Sequence, residues 1–147
     1  MKKQILTLAA LSISIFSNAQ DISQSQVPSV ILNQFKSQFL KATDVEWEMK
    51  GDLYVVDFEI GWSNDHEVWF NTDGKMVKHK EDISEKELPK AVKIRIKSDF
   101  NGRRIDDLVR ISDNGKTVYK MELNALLKED LEVVIDANGN VISNRID

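Results

Sequence analysis

Val45-Glu46-Trp47-Glu48-Met49-Lys50-Gly51-Asp52-Leu53-Tyr54-Val55-Val56-Asp57-Phe58-Glu59-Ile60 is the segment from which the fold is read. Val45, Trp47 and Met49 alternate with Glu46 and Glu48, the period of a half-buried strand. Gly51-Asp52 turns the chain. On the return, Tyr54, Val56, Phe58 and Ile60 point one way, while Leu53, Val55, Asp57 and Glu59 point the other. Strands joined by so short a turn run antiparallel. Downstream, Gly61 to Asp65 is a polar turn around Trp62, and Val68 and Phe70 return to the core side. Asp73-Gly74 then predicts another hairpin before Met76 to Lys80.

Upstream the period changes. Asp21 to Gln26 is a polar leader, and Pro28 stands where a first helical turn tolerates a missing N–H. Val30, Ile31, Phe35, Phe39 and Leu40 recur at three-to-four spacing, marking one apolar helix face.

The second half reads like the first. Val27-Pro28 falls over Leu88-Pro89, and Phe35 to Phe39 over Ile96 to Phe100. Phe58-Glu59 meets Met121-Glu122, Glu67 to Phe70 meets Glu132 to Ile135, and Asp73-Gly74 meets Asn138-Gly139. Ser84 with Glu87 resembles a capping box ahead of Pro89, and Ala91, Val92, Ile96 and Phe100 repeat the apolar stripe. Strands follow at Leu108 to Ile111, Val118 to Leu123, Leu131 to Ile135 and Val141 to Ile142. The turns between them are expected at Asn114-Gly115, near Lys128 to Asp130, and at Asn138-Gly139. The expected class is therefore α+β, a tandem repeat of one helix plus a four-stranded antiparallel sheet. A unit of about 60 residues buries only about 60% of its extended surface, so the two should join with both helices on one face of a shared sheet.

Lys2 and Lys3, the apolar run Ile5 to Phe16 and the small residues Ser17-Asn18-Ala19 read as a secretory signal peptide over residues 1–19. The units then occupy residues 20–83 and 84–147. Without Lys2 and Lys3 the balance is 18 basic against 24 acidic residues, a net −6 that disfavours nucleic acid and anionic lipid as partners. No cysteine occurs, so an exported chain must rest on its apolar core, and the address expected is periplasmic or secreted.

A signal peptide, no cysteine and tandem helix-plus-four-strand units with Asp-Gly or Asn-Gly hairpins resemble the PepSY-like periplasmic family, whose fold is similar to the beta-lactamase inhibitor protein. The resemblance covers roughly residues 25–147. It implies helix-covered antiparallel sheets arranged side by side, with a curved open surface able to hold a partner. That inhibitor's own partner does not carry over, because no contact motif matches and its disulfides are missing here.

Catalytic signatures are weak. No serine lies in a Gly-x-Ser-x-Gly setting, and no cysteine nucleophile exists. His66, in Asn64-Asp65-His66-Glu67, reads as a solvated strand edge. His66 and His79 are thirteen residues apart without cysteine or histidine companions, which is not a zinc spacing. Asp136-x-Asn138-Gly139-Asn140 lacks the frame of a calcium loop and reads as a turn. Glu46, Glu48, Asp57 and Glu59 alternate with apolar residues and belong to a solvent face. No cofactor, metal or catalytic residue is expected.

Binding is favoured by residues that break the polar rule on the open face. Val55 and Trp69, with Val118 and Val134 at the equivalent places, form a candidate contact patch bordered by Trp62. The function expected is an exported, non-enzymatic binding module for a protein or peptide. The alternative is a periplasmic hydrolase using carboxylates in an open groove.

Overall fold

The computed structural model describes residues 20–62 and 64–147. The signal peptide expected over residues 1–19 lies outside them. In chain order the elements are β1 (Gln20–Ile22), α1 (Ser29–Gln38), β2 (Ala42–Lys50), β3 (Leu53–Ile60), β4 (Asp65–Phe70), β5 (Met76–Asp82), α2 (Lys90–Asp99), β6 (Arg104–Asp113), β7 (Lys116–Ala125), β8 (Lys128–Asp136) and β9 (Val141–Ile146). The strands form a nine-stranded sheet in sequence order, every neighbouring pair antiparallel. The protein is thus α+β, two helices on an open antiparallel sheet. No helix among the described residues is long and apolar enough to cross a membrane.

The register fixes which way each side chain points. Val56 stands opposite Val68, Val68 opposite His79, His79 opposite Ser112, and Ser112 opposite Thr117. Cross-strand partners share a face, and Tyr119 and Met121 follow Thr117 at the strand period of two. Both helices pack on this face. Ile31 and Phe35 of α1 sit with Trp47, Val56, Phe58, Val68 and Phe70. Val92 and Ile96 of α2 sit with Tyr119, Met121, Leu123, Val133 and Ile135. Rings add directional contacts, since Phe35 meets Trp47 and Phe58 edge-on with centroids 5.4 and 5.1 Å apart.

Several boundaries differ from the sequence reading, each for a local reason. The polar leader contributes β1, because Ile22 pairs with Trp47 and packs on the first core. The Ser84–Glu87 capping box closes a short 3-10 turn ahead of α2, with the Glu87 carboxylate accepting the Ser84 N–H at 2.9 Å. Ser23 and Gln26 do the same ahead of α1. Strands β2 and β6 begin earlier than alternation indicates, because each carries a bulge that interrupts the period. Asp44 (φ 51°) and Asp107 (φ 43°) lie in these bulges, a backbone region that aspartate tolerates better than most residues. The β7–β8 turn falls at Leu126-Leu127 rather than near Lys128 to Asp130, since Ala125 pairs with Lys128. Both leucines are exposed.

Two turns meet the helices closely. In the β4–β5 turn, the Asn71 side-chain oxygen accepts the N–H groups of Asp73 and Lys75. In the β8–β9 turn, one Asp136 oxygen accepts those of Asn138 and Asn140. Gly139 has a φ of 87°, and a Cβ there would lie 2.8 Å from the Ala91 carbonyl oxygen of α2. Only glycine satisfies both conditions.

Candidate functional site

The helix side of the sheet holds two apolar cores, and a polar seam separates them. It forms because β5 and the neighbouring part of β6 lie between the two helices and present His79, Glu81, Arg110 and Ser112 on the covered face. His66 joins from β4. It stands opposite Glu81 and diagonal to His79, which pairs with Val68.

The result is a connected cluster. His66 Nδ1 and His79 Nε2 are 3.0 Å apart, and His66 Nδ1 lies 3.8 Å from Glu81 Oε2. The other Glu81 oxygen, Oε1, accepts two bonds from Arg110, from Nε at 2.8 Å and Nη2 at 2.7 Å. Phe58 stacks on His66 with centroids 5.0 Å apart, and Phe39 meets His79 edge-on at 5.6 Å. Burial among these rings holds both imidazoles below their ordinary pKa, against the opposing pull of Glu81. Both are therefore neutral at pH 7.

His66 is thus not the solvated strand edge that the sequence suggested: only 9% of it is exposed. The missed signal is parity. His66, Val68 and Phe70 share one face of β4, and a hairpin centred on Asp73-Gly74 carries His79 and Glu81 back beside them. Thirteen residues along the chain says little about distance in a hairpin.

The opposite face carries the second feature. Glu46 stands opposite Asp57, Asp57 opposite Glu67, and Glu67 opposite Lys80. Three carboxylates therefore adjoin in one cross-strand row, an arrangement that repels. Partial burial, reinforced by Glu67 and Glu48, raises the Asp57 carboxyl to about 6. The row lies in a cleft of about 430 Å³ whose lining includes Asp44, Glu59, Asp65 and Asp82.

The residues expected to form an apolar patch do not form one continuous exposed surface. Val55 and Trp69 are directly opposite each other, yet Val55 is fully buried and Trp69 is 9% exposed. The cause is overhead. Lys78 Nζ lies 4.4 Å and Lys50 Nζ 5.7 Å from the Trp69 ring centroid, and Lys50 is tied to Glu48 at 2.5 Å and Glu67 at 2.9 Å. Val118 and Val134 are partly exposed on the same face. Val118 stands beside Ile111, and Val134 beside Lys120. Across the row of Trp69 the neighbours are Lys78, Asp113 and Lys116, so charged residues divide the two apolar places. Trp62 is 98% exposed in the β3–β4 turn, at the rim of the face.

Two helices on one side of an open antiparallel sheet, with the other side bare, define a half-covered α+β protein. The chain belongs to the family described as beta-lactamase-inhibitor-like, PepSY-like, whose model matches residues 14–63 and 52–143. Solved structures share the fold. A DUF2874 family protein from Bacteroides uniformis is 20% identical, with 81% of this chain and 88% of that one covered at a TM-score of 0.66. A BLIP-like protein from Bacteroides fragilis is 21% identical, with 81% and 85% covered at 0.63. A Bacteroides eggerthii protein described as "putative periplasmic" is 18% identical, with 82% and 88% covered at 0.67. No curated protein matches the chain.

Proposed function

We propose that the protein is an exported, non-enzymatic binding module whose uncovered sheet face holds a protein or peptide with a basic segment. The carrying observation is the row Glu46–Asp57–Glu67. Lys50 and Lys80 reach Glu67, yet Asp57 stays raised by its burial and by Glu67 and Glu48, and a cationic side chain seated beside it would favour its charged form. Beyond β5, Val118 and Val134, with Ile111, offer apolar contacts, while Trp69 and Val55 support the face from beneath their lysines. Trp62 borders it. The BLIP-like description of a structural relative supports a protein partner, and inhibition of an exported enzyme is one form such binding takes. Periplasmic or extracellular residence fits the relatives' description and the signal-like start of the chain.

The reading also takes residues 20–83 and 84–147 as two copies of one helix-plus-four-strand unit. Support comes from features that recur at matching places: the bulges at Asp44 and Asp107, the Ser-containing capping boxes, and the side-chain-braced turns at Asn71 and Asp136.

The test is fluorescence anisotropy with labelled peptides of matched length, basic or acidic, against the mature chain. Basic peptides should bind, weaken with added salt, and lose affinity for the Glu46→Gln/Glu67→Gln double variant. Equal binding of acidic peptides, or indifference to the double variant, refutes the proposal. Turnover of a glycan or peptide, lost on Asp57→Ala or Glu59→Ala, would replace it with a hydrolase.

A further inference from the structure

The open face leaves the seam between the helices unexplained. A buried imidazole, His66, and a half-buried one, His79, there turn ring nitrogens toward each other, and a carboxylate is oriented beside them. The geometry points to a site for one late first-row divalent metal ion of the Zn²⁺ type, held by His66 Nδ1, His79 Nε2 and a carboxylate oxygen of Glu81.

Three observations carry this. The three ligand atoms lie within 4.8 Å of one another. A tetrahedral ion with bonds of 2.0–2.1 Å places its donors about 3.3 Å apart, so the 3.0 Å His66–His79 and 3.8 Å His66–Glu81 separations need shifts of about half an ångström or less, and the wider His79–Glu81 separation, within 4.8 Å, needs a larger one. The donor set of two imidazoles and one carboxylate suits Zn²⁺ and its neighbours rather than Ca²⁺ or Mg²⁺, which prefer all-oxygen shells. Finally, Arg110 fixes Glu81 through Oε1 and leaves Oε2 toward His66, the supporting arrangement that metal ligands require. Three protein ligands leave a fourth position open. Asp65 and Asp82, which with His66 line the acidic cleft, favour cations nearby.

The competing arrangement is a proton shared between the two rings, giving a His–His hydrogen bond and no affinity for metal. Calorimetric titration of the EDTA-treated mature chain with Zn²⁺ separates the two. Co²⁺ serves as an absorbing probe of the same site. Expected are uptake of one ion per chain and visible tetrahedral Co²⁺ bands. Both should be lost in His79→Gln and in Glu81→Gln, and both retained in Glu48→Gln/Asp57→Asn, which alters the acidic face. Circular dichroism establishes that each variant is folded, and a variant that unfolds is replaced by His66→Gln. No saturable uptake by the unsubstituted chain overturns the assignment, as does uptake that survives His79→Gln in a folded protein or disappears in the Glu48→Gln/Asp57→Asn variant. The site stands independently of peptide binding on the open face.

Discussion

Replacing Asp57 with asparagine should stabilise the protein at neutral pH, although it removes a charge from the surface. Asp57 lies between Glu46 and Glu67 in the cross-strand row, and its carboxyl is raised to about 6 by partial burial and by Glu67 and Glu48. In the unfolded chain it titrates near its ordinary value of about 3.9. Above pH 6 the group is charged in both states, and the folded state carries the full cost of its burial beside Glu67 and Glu48. Below pH 4 it is protonated in both, and the penalty vanishes. Stability therefore falls as pH rises through this window. Moving the carboxyl from its ordinary value to about 6 corresponds to roughly 3 kcal/mol without screening. Asp57 is only partly buried, so water and salt reduce this to about 1 kcal/mol. Asparagine keeps the shape and removes the charge. Urea unfolding of Asp57→Asn should show a gain of about 1 kcal/mol at pH 7 that closes as pH falls to 4 and shrinks with added salt. A loss of stability at pH 7, or a difference constant across pH, would refute the electrostatic reasoning.

The remaining expectations concern the frame that holds the face. Gly139→Ala should cost about 2 kcal/mol or more, because its Cβ meets the Ala91 backbone as well as an unfavourable φ. Gly115→Ala has a similar φ of 82° but open space around it and should cost about 1 kcal/mol, so equal thermal shifts would remove the role given to the β8–β9 contact. Phe35→Ala should cost about 3–5 kcal/mol in denaturant titration through lost edge contacts with Trp47 and Phe58, whereas exposed Leu40→Ala should change little. A small effect at Phe35 would mean that α1 is not packed as described.

Much of the architecture is legible along the chain. The alternation from Val45 to Ile60 places Trp47, Val56 and Phe58 inward and Glu46, Asp57 and Glu59 outward, as in the structure. The stripe of Ile31 and Phe35 identifies the covering face of α1. Boundaries are less legible where an irregular residue breaks the period, as at Asp44 and Asp107, or where composition misleads, as at Leu126-Leu127 in a turn. The candidate sites were the least legible. Alternation identified Val55 and Trp69 as facing away from the helices, and they do, but it could not show that Lys50 and Lys78 would roof them.

Which face a residue takes is a local property, set by a two-residue period in one strand, and the amino-acid order alone carries it. Which side chains meet is settled between strands. His66 lies beside His79 and Glu81 only because β4 and β5 pair in one register, and Arg110 reaches Glu81 only because β5 and β6 join two halves into one sheet. Those pairings depend on the simultaneous burial of both cores, a cooperative condition that no single segment expresses.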